Sequence, residues 1–287
     1  MFINNYNKLI NFFISTSIFI AWASTFELYF SYKLYDIAPN PELLLSFSFA
    51  TYSVYGLNKL TDVDEDAINN PERATTINKI VNIFKFSLAF TFIFSLILGF
   101  SVNILTLPLL LFPIFMGIVY SVRLSHHLPR LKDITGVKNL IIALSWGLSL
   151  ALLPVIGSPI VQLILICITF YFFFIKSFIN SVLFDVRDVE GDINSGVKTI
   201  PVLLNINKTR NVLLILNSTL LPLYVFFYSL FYKYFFVVVL IIFYGYWYIL
   251  YFCRDGQKIG RSLDICVDGE FIPVAIIVFI LSHGIKF

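Results

Sequence analysis

Two runs of this sequence carry carboxylates at helical spacing, each where an apolar stretch gives out. The first reads Tyr55-Gly56-Leu57-Asn58-Lys59-Leu60-Thr61-Asp62-Val63-Asp64-Glu65-Asp66. Residues four apart share a helix face, so Asn58, Asp62 and Asp66 form one polar stripe, while Asp64 and Glu65 point elsewhere. The second reads Asp185-Val186-Arg187-Asp188-Val189-Glu190-Gly191-Asp192. Steps of three and four put Asp185, Asp188 and Asp192 on one face. Gly196 and Pro201 then punctuate the chain and end the helix. Carboxylates at a helix C-terminus meet the negative end of the macrodipole and repel one another. Divalent cations relieve both problems. Mg2+ suits hard oxygen ligands and binds through a few carboxylates, waters and substrate phosphates. Two such stripes facing each other could bridge metal ions to one diphosphate and offset the charge that develops as it leaves. Lys59, Arg73 and Lys198 lie near the clusters in sequence, Arg123, Arg130 and Lys132 occupy the loop after the fourth apolar run, and together they would complete a diphosphate site. Among these, Arg offers the bidentate fork that matches phosphate.

The elements that must position these stripes are apolar. Of 287 residues, 59% are hydrophobic and 13% charged, against roughly 25% charged in a soluble domain. Lipid is therefore the expected solvent. Spans of about 20 apolar residues fall near 9–31, 41–60, 80–100, 104–121, 138–157, 160–184, 210–230, 233–252 and 270–286. The expected fold is an all-α integral membrane bundle of about nine helices, with residues 1–287 as a single domain. The first run continues to about Tyr32 without a small-residue cleavage site, so it reads as a span rather than a leader. Among the Lys and Arg residues, Lys33, Lys233 and Lys286 fall on the side of the short breaks. All the others count to the opposite side, which the positive-inside rule makes cytoplasmic. Nine spans then give a cytoplasmic N-terminus, an outside C-terminus, and cytoplasmic loops near 61–79, 122–137, 185–209 and 253–269. Both acidic clusters share that face.

A formal net charge of +3 and the lack of a Lys/Arg run give no nucleic-acid surface. No required protein partner is evident. Cys167, Cys253 and Cys266 show neither a zinc spacing nor a disulfide framework, and Cys167, inside an apolar run, reads as a small buried hydrophobe. His126 and His127 are adjacent and His283 stands alone, spacings that suit no metal site. Two other readings compete with diphosphate chemistry. One is a pair of merely solvated loops. The other is a transporter or channel using the acids for cation binding, although such acids more often lie mid-span.

At these residues the chain resembles the UbiA superfamily of intramembrane prenyltransferases. Asn58, Asp62 and Asp66 match its N-x-x-x-D-x-x-x-D motif. Asp188 and Asp192, with Gly196-Val197-Lys198-Thr199-Ile200-Pro201, match its second motif and tail. The segment from Arg130 to Asn139 is similar to the connecting loop of archaeal-type members. The resemblance implies a helical bundle around a central cavity open to lipid, and Mg2+-dependent transfer of a polyprenyl group from its diphosphate to an acceptor. It implies that Asp62, Asp66, Asp188 and Asp192 hold the metals, that Asn58 supports the first site, and that Asp185, one turn before Asp188, joins the ligand set. The sequence departs from the pattern at Lys59, where Arg is common, and at Asn4 to Lys8, where an Arg-Pro signature is common. The acceptor is left open between a lipid, an aromatic ring and another hydroxyl compound.

Overall fold

The computed structural model describes residues 2–61, 70–121, 134–158, 161–254, 256–257 and 259–284. Its helices are α1 (Phe2–Ser15), α2 (Ile18–Leu34), α3 (Pro41–Thr61), α4 (Pro71–Lys79), α5 (Val81–Val102), α6 (Thr106–Ser121), α7 (Val137–Leu152), α8 (Leu163–Ser195), α9 (Ile200–Leu204), α10 (Ile206–Ser218), α11 (Leu220–Phe226), α12 (Tyr228–Phe231), α13 (Phe235–Phe252) and α14 (Phe271–Gly284). A 3₁₀ turn, Leu153–Val155, follows α7, and a π-helical turn, Asp264–Asp268, precedes α14. No strand occurs among the described residues.

Six helical stretches among the described residues are long and apolar enough to cross a bilayer, or seven if α1 and α2 count as one span bent by 68°. This is coarser than the nine spans expected, for local reasons. The bend falls at Ser17, whose φ of 65° breaks the α-helical path. Helix α6 has only 16 residues and contains Pro113. Helix α3 carries a stripe of hydroxyls that it spends on its neighbours. Ser46 and Ser95 exchange side chain-to-carbonyl hydrogen bonds with α5, each 2.8 Å, and Ser53 lies 2.9 Å from the Thr91 hydroxyl. Small and hydroxyl residues let membrane helices approach closely and bond across the seam. The same device joins α2 to α7, where Ser31 and Tyr35 donate to the carbonyls of Leu150 and Ala151.

The outward faces are apolar. Ile83 and Phe86 on α5 are each 74% exposed, a surface suited to acyl chains. Cys167 joins this face: it is exposed on α8 rather than buried as expected, because its helical neighbours Leu163 and Ile164 also point outward. The core instead stacks Phe30, Phe172, Phe173, Tyr224 and Phe271. Asp36 accepts from Lys233 at 2.6 Å, so the break after α2 and the break before α13 share one end of the bundle. That hydrogen bond holds the Lys233 ammonium above its ordinary range.

Helix α8 positions the second acidic stripe. Its 33 residues rise about 50 Å at 1.5 Å each, well beyond a hydrocarbon layer of about 30 Å. Gly196 caps it with φ 72°, and Val197 N–H closes on the Asp192 carbonyl at 2.8 Å. Pro201 does not end this helix; it sits in the first turn of α9, where a missing N–H costs nothing.

One close approach gives a stability prediction. A Cβ built on Gly245 of α13 would stand 2.5 Å from Oδ1 of Asn217, and Asn217 is fully buried with its amide bonded to the Ile242 carbonyl. Gly245→Ala is expected to cost about 1–3 kcal/mol through overpacking, read as a lower thermal unfolding midpoint in detergent.

Candidate active site

A cavity of about 260 Å³ opens between α2, α3, α7, α8 and the π-turn. The end of α3 contributes Asn58 and Lys59, the start of α4 contributes Arg73, and α8 contributes Asp185, Asp188 and Asp192. Six of the sequence-derived candidates therefore meet on one cavity. Asp62 and Asp66, and likewise Arg123 and Lys132, lie outside the described residues. His126 and His127 do too. Lys198 is exposed and does not line the cavity; its carbonyl accepts from Thr135 at 2.5 Å.

The three α8 carboxylates have different surroundings. Asp185 is buried, and both its oxygens are taken, one by Lys138 Nζ at 3.1 Å and the other by Asn139 Nδ2 at 2.8 Å. That ties α7 to α8. Asp188 is gripped through both oxygens by the neighbouring Arg187, at 2.9 and 3.1 Å. The same guanidinium reaches Asp264 at 3.5 Å. Asp192 accepts from the Thr199 hydroxyl at 3.0 Å. This explains the tail after the second cluster: the Gly196 turn brings Thr199 back onto the carboxylate seven residues earlier. Lys59 donates to the Ile14 carbonyl at 2.7 Å, satisfying a backbone group at the end of α1.

Among the described residues no three His, Cys, Asp or Glu side chains converge closely enough to hold a metal. The donor set nevertheless fits Mg2+. Asp188 and Asp192 both line the cavity, Asp192 has its second oxygen without a described partner, and Mg2+ needs only one or two carboxylates when phosphates and waters fill the rest. Burial pushes the Cys253 thiol up to about 12, which makes it inert as a ligand.

Several cavity or near-cavity residues escaped the sequence reading. Lys138, Arg187, Asp264 and Asp268 line the cavity. Deeper in, Lys176 is fully buried and donates to both Glu270 and Tyr248, each at 2.6 Å. Lys176 therefore belongs to neither side in the charge count. The signal for it was present, a lysine inside Phe172-Phe173-Phe174-Ile175-Lys176, since a mid-span charge marks a functional or paired group. Aromatic walls complete the cavity: Tyr55 stacks on Trp146 with ring centroids 5.7 Å apart and planes 5° apart.

The UbiA prenyltransferase family model matches residues 11–265. The chain belongs to the UbiA prenyltransferase family. It is 31% identical over 172 residues to the digeranylgeranylglyceryl phosphate synthase of Sulfolobus acidocaldarius, a match that spans 58% of each chain. Its fold is similar to that of a UbiA homolog from Archaeoglobus fulgidus bound to GPP and Mg2+, with TM-score 0.67 and 18% identity over 96% of this chain and 98% of that one. A structure of digeranylgeranylglyceryl phosphate synthase in membranes aligns with TM-score 0.59 and 17% identity, covering 98% of this chain and 100% of the other. At those identities the structures show the shared fold. UbiA membership and the apolar helices make this an integral, multi-pass membrane protein, and the transporter reading draws no support from these relatives.

Proposed function

We propose that this UbiA member, with residues 1–287 acting as one unit crossing the bilayer nine times, is a Mg2+-dependent membrane prenyltransferase. It moves a polyprenyl group from its diphosphate to a hydroxyl acceptor at the cytoplasmic face. The observation that carries this reading is the meeting of Asn58, Lys59 and Arg73 with Asp188 and Asp192 on one cavity that Trp146, Phe184 and Phe271 also line. The basic groups and carboxylates suit a metal–diphosphate head, and the aromatic walls suit a prenyl chain.

In this reading Asp188 and Asp192, with Asp62 and Asp66 of the first motif and Asp185 beside them, would hold Mg2+. The ion would supply the positive charge that favours loss of diphosphate. Asn58, Lys59 and Arg73 would grip the phosphates, joined by Arg123 and Lys132, while Lys198 lies off the cavity. Arg187 orients Asp188. The apolar wall holds the prenyl chain and excludes water from a carbon that becomes cation-like, and aromatic faces stabilise such charge. The Sulfolobus relative's name supplies the acceptor to try first, geranylgeranylglyceryl phosphate.

The test is product analysis. Purified protein in lipid nanodiscs is incubated with labelled prenyl diphosphates of several lengths and geranylgeranylglyceryl phosphate, and the lipids are read by mass spectrometry. An ether product that disappears with EDTA and returns with Mg2+ is expected. Diphosphate release that is absent, or indifferent to EDTA, with every donor would refute the reading.

A further inference from the structure

The reaction leaves one proton unassigned, and the cavity holds a carboxylate with no bonded partner among the described residues. Glu27 of α2 lines the cavity and has no hydrogen-bond or ion-pair partner among the described residues. It stands within electrostatic range of Lys176 and Glu270. Those two neutralise each other across 2.6 Å, and Lys176 also donates to Tyr248, whose hydroxyl lies 3.5 Å from Oδ1 of cavity-lining Asn180. The buried pair is thus charge-balanced in itself, and Glu27 is surplus. A carboxylate at membrane depth without a partner of its own is costly, so its retention calls for a use.

Depth separates Glu27 from the diphosphate end. Lys176 lies nine residues before Asp185 on α8, about 13 Å of helix rise. Glu270 lies two residues beyond the π-turn that carries Asp264. A group facing this pair is on the apolar side of the acidic stripe, where the reacting carbon and its acceptor must lie if the diphosphate occupies the stripe. The other cavity carboxylates are poorly placed for the task. Asp185, Asp188, Asp192 and Asp264 are each bonded to a basic or hydroxyl group. Asp268 also lacks a described hydrogen-bond partner and is within electrostatic range of Glu27, but unlike Glu27 it also feels Lys59 and Arg187 of the diphosphate end.

We infer that Glu27 accepts the proton of the acceptor's nucleophilic hydroxyl. This rests on the prenyl-transfer reading above. The allylic C–O bond breaks and its electron pair leaves with diphosphate. The acceptor oxygen forms the new C–O bond, and its proton passes to a Glu27 carboxylate oxygen. Prenyl diphosphate, alcohol and carboxylate give ether, diphosphate and carboxylic acid, and the balance closes without a further reactant. Ser24, one turn earlier on α2 and also on the cavity, adds a hydroxyl to orient the acceptor.

The experiment compares wild type, Glu27→Gln, Glu27→Asp and Asp268→Asn with two acceptors: geranylgeranylglyceryl phosphate and its analogue bearing a thiol in place of the reacting hydroxyl. A thiol is a few per cent ionised near neutral pH without a base. With the alcohol, Glu27→Gln is expected to lower kcat by about 100-fold with donor KM within about threefold, the range of a lost general base. With the thiol, the gap to wild type should shrink to under about tenfold, and Glu27→Asp should recover part of the alcohol rate. A thermal midpoint equal to wild type excludes misfolding. Equal losses with both acceptors, an unchanged alcohol rate, or thiol rescue confined to Asp268→Asn would overturn the inference while leaving the prenyl-transfer reading standing. A wild-type protein that makes no metal-dependent product overturns that reading and this inference together.

Discussion

Replacing Asp192 with Asn is expected to lower Mg2+-dependent release of diphosphate by about 10³-fold, the upper range for losing one preorganised electrostatic group at a reacting centre. The substitution keeps the size of the side chain and the bond from Thr199, which Asp192 accepts at 3.0 Å. Only the charge and one ligand oxygen change. The half-buried site on α8 faces the cavity, so the fold should be indifferent, and the thermal midpoint should stay within about 2 °C of wild type, less than 1 kcal/mol. The check is a phosphate-release assay on matched wild-type and variant samples. A rate within tenfold of wild type would remove Asp192 from the metal set.

The second large effect is structural. Lys176→Met is expected to destabilise the protein by about 3–5 kcal/mol, because it leaves Glu270 as an uncompensated buried carboxylate. Glu270 already has one oxygen, Oε2, without a partner, and the other is held by Lys176 at 2.6 Å. For a chain of this size such a loss corresponds to a fall of about 10 °C in the unfolding midpoint. The double variant Lys176→Met, Glu270→Gln should recover most of it, since removing both charges removes the desolvation cost with the attraction. Thermal unfolding of the two single variants and the double variant forms a cycle. An additive cycle would mean the pair is not coupled.

The contrast between these two predictions tracks what the sequence made legible. The second stripe could be read because all its determinants are local: carboxylates at steps of three and four, then Gly196 to stop the helix. The convergence of Asn58 and Arg73 on the same cavity agrees with the pattern of the first cluster, although Asp62 and Asp66 themselves lie outside the described residues. The Lys176 network was not legible, because its partners lie 72 and 94 positions away and nothing periodic links them. The same holds for Arg187. Its place between Asp188 and Asp264 depends on a π-turn 77 positions downstream that brings Asp264 to the cavity. The span count stays coarser than the nine expected for a related reason. Apolar length marks a helix, but the hydroxyls of α3 are spent on α5 and Ser17 bends the first run, which composition alone does not reveal.

Among the charges that the sequence did reveal, their roles divided once neighbours were known. Asp185, expected among the metal ligands, spends both oxygens on Lys138 and Asn139. It would have to exchange those bonds to reach an ion. Asp188 would have to share itself with Arg187. Asp192 has the least committed carboxylate of the three, which is why the central claim is best tested there.

The most direct measurement uses Mn2+ in place of Mg2+ and reads its electron–nuclear coupling to phosphorus in the bound prenyl diphosphate. Wild-type protein should show 31P coupling that appears only when metal and donor are both present, and Asp192→Asn should abolish it while the donor alone still partitions into the nanodisc. Undiminished coupling in Asp192→Asn, or donor binding that ignores the metal altogether, would contradict a metal–diphosphate centre on helix α8.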